Sequence, residues 1–279
     1  CSGLVGSEMC IRDSYSMERH ADLLAYAQSN SDCDIETLGI TLDGQSIDCL
    51  RFGEESEHSK KIWMIARQHP GESMAEWWME GMISRLMDDS DPVVRSVLEK
   101  STIYLVPNMN PDGSRRGHLR TNAVGSNLNR EWNNPTLEKS PEVLCVFNKM
   151  KSTGVDFALD VHGDESLPYN FIAGTEGVPS WNEARQQKLD HFKKTLAHIN
   201  PDFQTQNGYP PNPPGSANLS FCSNAVAEYF KCPAMTLEMP FKDARDTAEP
   251  IQGWSPERCI KLGQSCLDAI YQSWNKIFE

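Results

Sequence analysis

The feature that most constrains the fold of this chain is a repeated alternation of short apolar runs with longer segments of helical or loop character. From residue 35 onward, the runs KIWMIA, TIYLV, FALDV and AMTLEM are separated in this way. Short apolar runs are typical of buried strands, and their alternation with helices is typical of α/β domains. We therefore predict an α/β fold with a mixed, mostly parallel central sheet and helices on both faces. A chain of 279 residues can form this as one domain.

The predicted elements also place the polar residues of interest. In chain order they are a helix over 17–29, two strands in 34–53 joined at Asp43-Gly44, a strand over 61–66, a helix over 73–88, a short helix over 92–100, a strand over 102–108, a polar loop over 108–134, a helix from Pro141, a strand ending at His162, a helix over 180–199, a Pro-rich loop over 208–216, a strand containing Glu238, and a C-terminal helix from Pro256. Functional groups of such sheets gather where strands end in loops. We therefore expect the functional residues of this chain at the ends of its predicted strands.

The first 14 residues, CSGLVGSEMCIRDS, do not resemble the rest of the chain. EMCIRD resembles the in-frame translation of a transposon-end adaptor used in preparing sequencing libraries. We predict that residues 1–14 are a non-native, adaptor-derived tail, with a disordered native tail as the alternative. The native protein is then expected to continue upstream of Tyr15.

Cysteine usage indicates a reducing compartment. Nine cysteines become seven when Cys1 and Cys10 are excluded with the tail, and no Cys-x-x-Cys pair occurs among them. An odd number with irregular spacing favours reduced thiols over a disulfide framework. We predict a cytoplasmic protein.

The charge and hydropathy exclude two classes of partner. A formal net charge of −13 argues against binding to a nucleic-acid phosphate backbone. The sequence contains no run of 18 apolar residues, so we expect no membrane-spanning helix.

A charged quartet, HPGE, lies directly after the apolar run KIWMIA. His69 and Glu72 are three residues apart, on a turn that contains proline and glycine. Imidazole nitrogen and carboxylate oxygen suit Zn²⁺, and a catalytic zinc site takes three protein ligands with one open position. His162, directly after FALDV, is the best-placed third ligand. His-x-x-Glu by itself is weak evidence, because it is more often a surface pair or a satisfied pair.

A basic loop strengthens the case for a site. Within 16 residues it contains Arg115, Arg116, Arg120, Asn129 and Arg130, in a chain that is acidic overall. Arginine binds a carboxylate through two charge-assisted hydrogen bonds. The alternative is a solvated loop with an Asn-Pro-Asp-Gly turn.

Glu238 lies inside the apolar run AMTLEMPF. A carboxylate in a buried strand must be paired, protonated or functional. Beside a metal-activated water it would act as a general base. Its structural alternative is to pair with a buried arginine.

Taken in order, HPGE, NPDG, the arginine of HLRTN, NREW, DVHGDE and TLEMPF resemble the zinc metallocarboxypeptidases of the carboxypeptidase A type. More narrowly, the chain resembles a bacterial member of the cytosolic carboxypeptidase branch, over residues 15–279. The resemblance implies the zinc carboxypeptidase fold, one Zn²⁺ per chain, and release of the C-terminal residue of a peptide or protein. The family's N-terminal β-sandwich domain has no counterpart in this sequence, so we expect a truncated chain.

The resemblance also implies a role for each motif residue. His69, Glu72 and His162 match the zinc ligands, and Glu238 matches the general base. Arg120 matches the arginine that stabilises the oxyanion. Asn129 and Arg130 match the pair that binds the substrate's terminal carboxylate.

Two family features are less well matched. The mobile tyrosine of the family has three candidates, Tyr209, Tyr169 and Tyr229, and we favour Tyr209 because it lies in a loop. Members that trim polyglutamate have a Gly-Thr-Ala-Arg segment, where this chain has GSAN at 215–218. Asn218 stands where those members have arginine, so the resemblance does not extend to glutamate specificity. The expectation of an acidic terminal residue rests on the basic loop alone.

Three alternatives stay open from sequence. The first is a zinc amidohydrolase of the aspartoacylase or succinylglutamate desuccinylase type, acting on N-acyl amino acids. The second is a domain that binds peptide C-termini without turnover. The third makes the basic loop a partner-docking surface.

Overall fold

A single seven-stranded sheet forms the centre of the computed structural model, which describes residues 14–279. The strands are β1 (Cys33–Ile40), β2 (Ser46–Phe52), β3 (Lys60–Ala66), β4 (Ser101–Val106), β5 (Phe157–Asp164), β6 (Phe171–Ala173) and β7 (Ala234–Pro240). Their order across the sheet is β1-β2-β4-β3-β5-β7-β6. The four central strands are parallel, and β1, β2 and β6 pair antiparallel at the two edges. The predicted mixed α/β fold is confirmed.

Helices cover both faces of this sheet. They are α1 (Met17–Gln28), α2 (Ser73–Leu86), α3 (Pro92–Leu98), α4 (Pro111–Arg116), α5 (Pro141–Thr153), α6 (Glu183–Ile199), α7 (Cys222–Phe230), α8 (Pro256–Gln272) and α9 (Trp274–Phe278). Two hydrophobic clusters result, one on each face, and central strands such as β4 are buried along their whole length. Burial on both faces explains why these strands read as continuous apolar runs. Within residues 14–279, no helix is both long enough and apolar enough to cross a bilayer.

The contact between α2 and α8 is unusually close. A Cβ atom added to Gly81 would overlap the backbone carbonyl of Ile260, and one added to Gly263 would overlap that of Trp78. Glycines at the crossing therefore let the two backbones touch, because any side chain would separate the helices. This packing fixes α2, whose N-terminus adjoins the HPGE turn, against the C-terminal helix.

The structure departs from the predicted elements in three places. The loop predicted over 108–134 contains helix α4 and a 3₁₀ turn at Leu128–Arg130. Asn110 caps α4 by accepting from the amide of Gly113 at 3.0 Å, so the Asn-Pro-Asp-Gly segment begins a helix and is not an isolated turn. Strand β6 and helix α7 were not predicted, because β6 is only three residues long and α7 follows a proline-rich loop. Of the predicted tail, residues 1–13 lie outside the described residues.

The topology brings distant residues to one edge of the sheet. Strand β3 is central, with β4 on one side and β5 on the other. Crossovers that run in opposite directions leave a crevice at the carboxyl ends of such strands, where ligands bind in open α/β sheets. Residues 67–72 follow β3 at this edge, and His162 lies near the end of β5. Glu238 on β7 is the register partner of His162.

Candidate active site

Three predicted ligands meet at this edge. Nδ1 of His69 lies 2.7 Å from Oε1 of Glu72, and Nδ1 of His162 lies 2.7 Å from Oε2 of the same carboxylate. One ligand atom from each residue falls within 4.8 Å of the others, and all three side chains are buried. Two imidazole nitrogens and a carboxylate oxygen facing one point could hold a metal ion, and this donor set suits Zn²⁺.

The HPGE turn owes its shape to the residues beneath and beside it. Arg67 has a backbone φ of 58°, a conformation that is uncommon for any residue but glycine. Its buried guanidinium donates from Nε to the carbonyl of Pro70 at 3.0 Å and so supports the turn from below. Gly71 donates to the carbonyl of Leu119 at 2.8 Å, and a Cβ at Gly71 would lie 2.9 Å from that oxygen. Only glycine permits this approach.

Outer partners fix the orientation of both imidazoles. Nε2 of His69 lies 3.0 Å from Oδ1 of Asn127, and Nε2 of His162 lies 2.9 Å from Oδ2 of Asp160. Gln68 donates to the same Asp160 oxygen at 2.7 Å. Such partners direct the other ring nitrogen, Nδ1, toward the metal position. Sequence analysis missed all three; the one available signal was Asp160, a carboxylate inside the apolar run FALDV and two residues from His162.

The charges of the ligand set follow from its burial and contacts. Burial acts to raise the pKa of Glu72, but the imidazoles of His162 and His69 outweigh it and hold that pKa well below the usual range of a glutamate. Burial acts to lower the pKa of His162, whereas Asp160 and Glu72 together raise it well above the usual value. Glu72 is therefore held as an anion, as a metal ligand requires.

Glu238 faces the same space from β7. It is 7% exposed, and burial raises its pKa above the usual value for a glutamate, with Glu72 adding to the effect. Its Oε2 has no hydrogen-bond partner among the described residues, and its Oε1 lies 3.5 Å from the hydroxyl of Tyr209. Within residues 14–279, no arginine forms the ion pair with Glu238 that was considered from sequence. An unpartnered buried carboxylate oxygen beside a metal position is suited to accept a proton.

The arginines of the basic loop fall into two groups, one at the cavity and one directed away from it. Arg120 lies at the site, with Nη1 3.8 Å from Oε1 of Glu72 and its side chain 45% exposed. The guanidinium of Arg130 lies 3.8 Å from the centre of the Phe221 ring and lines the same cavity. Arg115 and Arg116 point elsewhere, toward Gln45 and Asp43, so the patch predicted from sequence is smaller than expected.

Asn129 is anchored from the opposite side. Its Oδ1 accepts the backbone amide of Cys222 at 2.8 Å, at the start of α7. Its Nδ2 is thereby directed toward the ligand set, 3.4 Å from Nε2 of His162. Helix α7, which sequence analysis missed, therefore positions a predicted substrate-binding residue.

Of the three tyrosines considered, only Tyr209 lines the cavity. Its hydroxyl donates to Oδ2 of Asp164. Tyr169 accepts from Arg245 at 3.4 Å, and Tyr229 packs on Phe230 with 58% of its surface exposed.

These residues line a cavity of about 540 Å³. Its lining also includes a hydroxyl pair, Ser223 and Thr236, 2.6 Å apart, together with the charged side chains of Lys193 and Glu176. A more open cavity of about 920 Å³, lined by Glu55 and Tyr104 among others, contains none of the predicted site residues. The smaller cavity is less open and contains the candidate metal ligands and Glu238, so it is the candidate functional site.

Comparison with known proteins agrees with this geometry. A family model described as zinc carboxypeptidase matches residues 19–240. An uncharacterized protein of Zymomonas mobilis is 54% identical over 253 residues, which is 91% of this chain and 66% of that protein. Cytosolic carboxypeptidase 6 of Mus musculus is 27% identical over 179 residues, which is 60% of this chain and 32% of that protein. The chain therefore spans less than two thirds of these relatives.

A solved metallo-carboxypeptidase structure is also similar to this chain. The metallo-carboxypeptidase from Pseudomonas aeruginosa, in complex with (2-guanidinoethylmercapto)succinic acid, superimposes with a TM-score of 0.91 at 44% identity. The match covers 95% of this chain and 70% of that one.

Proposed function

The chain belongs to the zinc carboxypeptidase family, and from this membership we propose that it is a zinc-dependent metallocarboxypeptidase that removes the C-terminal residue of peptides or proteins. The observation that carries the proposal is the meeting, in one cavity, of His69, Glu72 and His162 with the unpartnered oxygen of Glu238. The family resemblance stated from sequence is confirmed, and with it zinc as the cofactor.

We assign the ligand role to His69, Glu72 and His162. When bound, zinc would polarise the scissile carbonyl and lower the pKa of water. Glu238 takes the proton of the attacking water on Oε2 and returns it to the leaving amine. Arg120, on the open side of the site, donates to the oxygen on which negative charge develops. Removing one such donor typically lowers the rate by roughly 10²–10³-fold.

Selectivity for a chain end is assigned to Arg130 and Asn129. Arg130 has no acidic partner within 4.0 Å among the described residues. Its Nη1 donates to the carbonyl of Asn129 at 2.7 Å, and the other N–H groups of the guanidinium are left for a carboxylate. Asn129 lines the same cavity, with Nδ2 3.4 Å from Nε2 of His162. An internal peptide bond offers no carboxylate here, and the pair therefore favours exopeptidase over endopeptidase activity.

We further propose that the enzyme prefers substrates with an acidic C-terminal residue. This preference is supported by Lys193, a half-buried cation of the cavity wall with no ion pair within 4.0 Å in the described region. Glu176, also half-buried on that wall, is the group that would favour a basic residue instead. A panel of dipeptides with acidic, apolar and basic terminal residues decides between them, with Lys193→Met and Glu176→Gln as paired variants.

We also propose a cytoplasmic location and a single catalytic unit over residues 15–279. The location is supported by buried thiols such as Cys49, Cys222 and Cys266, which form no disulfide. Cell fractionation with an antibody to the chain tests the location, and recovery in a secreted fraction would contradict it.

The test begins with bound metal. Elemental analysis of the purified chain should give about one zinc per chain, which His162→Ala loses. Zinc-replete protein should then hydrolyse peptides with a free C-terminus and not the same peptides with a C-terminal amide. Glu238→Gln should keep the zinc and lose turnover.

Two results would overturn the assignment. Cleavage of N-acyl amino acids in preference to peptides would indicate the amidohydrolase alternative. Zinc-dependent peptide binding without turnover in the wild-type protein would indicate a non-catalytic binding domain.

A further inference from the structure

Asp164 ends strand β5 two residues beyond His162, on the same side of the strand. One carboxylate oxygen, Oδ1, accepts the backbone amides of Ser166 and Leu167, each at 2.6 Å. These two bonds tie the carboxylate to the turn that follows the strand. The other oxygen, Oδ2, accepts from the hydroxyl of Tyr209. Asp164 is therefore a rigid acceptor that joins two loops of the cavity.

Tyr209 has few other restraints. It lies in the Pro-rich segment 208–216, for which the structure shows no helix or strand, and its surface is 48% exposed. Its ring packs edge to face on Phe171, with centroids 4.9 Å apart and an interplanar angle of 85°. An edge-to-face contact restrains the plane of the ring but not the depth to which its hydroxyl enters the cavity. The bond to Asp164 supplies that restraint, because it is charge-assisted and directional.

The position so fixed is next to the reaction centre, since the hydroxyl lies 3.5 Å from Oε1 of Glu238. We propose that Asp164 is a positioning residue that holds the hydroxyl of Tyr209 over the reacting groups. The inference rests on the proposed function. A hydroxyl whose single proton is donated to Asp164 presents only lone pairs to the cavity, so it is suited to accept a peptide N–H of the substrate. The hydroxyl of Tyr209 is then preorganised, before substrate binds, to accept a hydrogen bond from that N–H group.

A double-mutant cycle on peptide hydrolysis tests the pairing. Asp164→Ala and Tyr209→Phe should each lower kcat/KM by roughly 10-fold or more, the value of a hydrogen bond to a charged group. The double variant should be no worse than either single variant. Asp164→Asn keeps an oxygen for the turn and should show a smaller loss, which also vanishes in the Tyr209→Phe background. Asp246→Asn, which removes an exposed carboxylate outside the cavity lining, should change kcat/KM by less than about twofold.

Multiplicative losses in the double variant would overturn the proposal, because Asp164 would then act through the turn or through its charge. A second measurement needs no turnover. Hydrogen–deuterium exchange of a peptide covering 204–212 should rise in Asp164→Ala and Asp164→Asn and stay unchanged in Asp246→Asn. Unchanged exchange in all three variants contradicts the positioning role even if the protein proves not to be a peptidase.

Discussion

Asp160 and His162 lie on the same side of strand β5, and the carboxylate oxygen Oδ2 of Asp160 is 2.9 Å from Nε2 of His162. The bond leaves Nδ1 of His162 facing the ligand set. A ligand imidazole held in this way has one defined tautomer and a fixed ring plane. The fixed ring is a property of the protein alone, so it can be tested by metal affinity as well as by turnover.

Replacing Asp160 with Asn should therefore weaken zinc binding. We expect a roughly 10–100-fold loss of affinity, the usual effect of removing an outer partner of a metal-bound histidine. Competition with a chromogenic chelator measures it. Asp156→Asn, on the same segment but far from the ligands, is the control. Equal affinities of wild type and Asp160→Asn would show that other contacts orient the ring.

The ion pair between Arg67 and Glu76 beneath the metal-binding turn should matter for stability. Both side chains are buried, and Nη1 of Arg67 lies 2.5 Å from Oε2 of Glu76. Arg67→Met leaves a buried carboxylate without that partner and should lower the free energy of unfolding by about 3–5 kcal/mol. Urea denaturation measures the loss. Lys149→Met, which breaks a more exposed pair with Glu36, should cost less than about 1 kcal/mol.

The double variant Arg67→Met/Glu76→Leu separates two explanations. If the loss comes from an uncompensated charge, the double variant should regain part of the stability lost in Arg67→Met. A double variant that is less stable still would mean that the hydrogen bonds of the pair, including the one from Arg67 to Pro70, dominate.

Glu142 should give the stability a distinctive pH dependence. It is fully buried in the first turn of α5, and burial, assisted by Asp112, raises its pKa to about 7. The folded-state pKa lies above the unfolded value, so the contribution to stability is full below about pH 4.3 and is lost as pH rises through about 7. Glu142→Gln cannot ionise. It should be more stable than wild type by about 1–3 kcal/mol at pH 8 and lose that advantage near pH 4.5.

Urea denaturation of both proteins at the two pH values measures this difference. Glu138→Gln, in the exposed loop before α5, controls for net charge. A stability difference between wild type and Glu142→Gln that does not vary with pH would contradict the prediction.

The close approach of α2 and α8 predicts the sign of a glycine substitution. By helix propensity alone, Gly263→Ala would stabilise α8 by about 1 kcal/mol. The added methyl group would overlap the carbonyl of Trp78, so we expect net destabilisation of about 1–3 kcal/mol. Thermal unfolding measures it, with Lys261→Ala on the exposed side of α8 as the control. A more stable Gly263→Ala protein would mean that the helices can separate at little cost.

Arg130 should act on substrate binding. Arg130→Ala should raise KM by roughly 10–100-fold, since a charge-assisted hydrogen bond to the terminal carboxylate is worth about 1.5–3 kcal/mol. Arg115→Ala removes a cation of the same loop that points away from the cavity and should leave KM unchanged. Steady-state kinetics of both variants compare the two. Unchanged hydrolysis in Arg130→Ala would favour the partner-docking alternative for this loop.

The sequence alone was sufficient for the fold class and for the candidate ligands, for a physical reason in each case. Strands such as β4 are buried on both faces and therefore keep an unbroken apolar pattern. His69 and Glu72 are neighbours in sequence, so their approach depends only on a local turn. His162 and Glu238 were selected as candidates because polar residues stand out beside or within apolar runs.

Other features depend on long-range packing and have no local signature. Asn127 faces His69 across 58 residues of chain, and nothing in its own segment distinguishes it from other loop asparagines. The separation of Arg115 and Arg116 from Arg120 follows from helix α4, which turns their side chains toward the β1–β2 connection. Strand β6 is set by pairing with β7 and not by its own three residues.

The ligand set is also assembled from far apart, since Glu72 and His162 are 90 residues apart and Glu238 follows on yet another strand. Contacts of such long range form late, after the cost of closing large loops has been met. A chain still folding, or one only partly synthesised, carries His69 and Glu72 without their third partner and without Glu238. On the proposed function, the complete site therefore exists only once β3, β5 and β7 have paired, so the site reports on completion of the sheet.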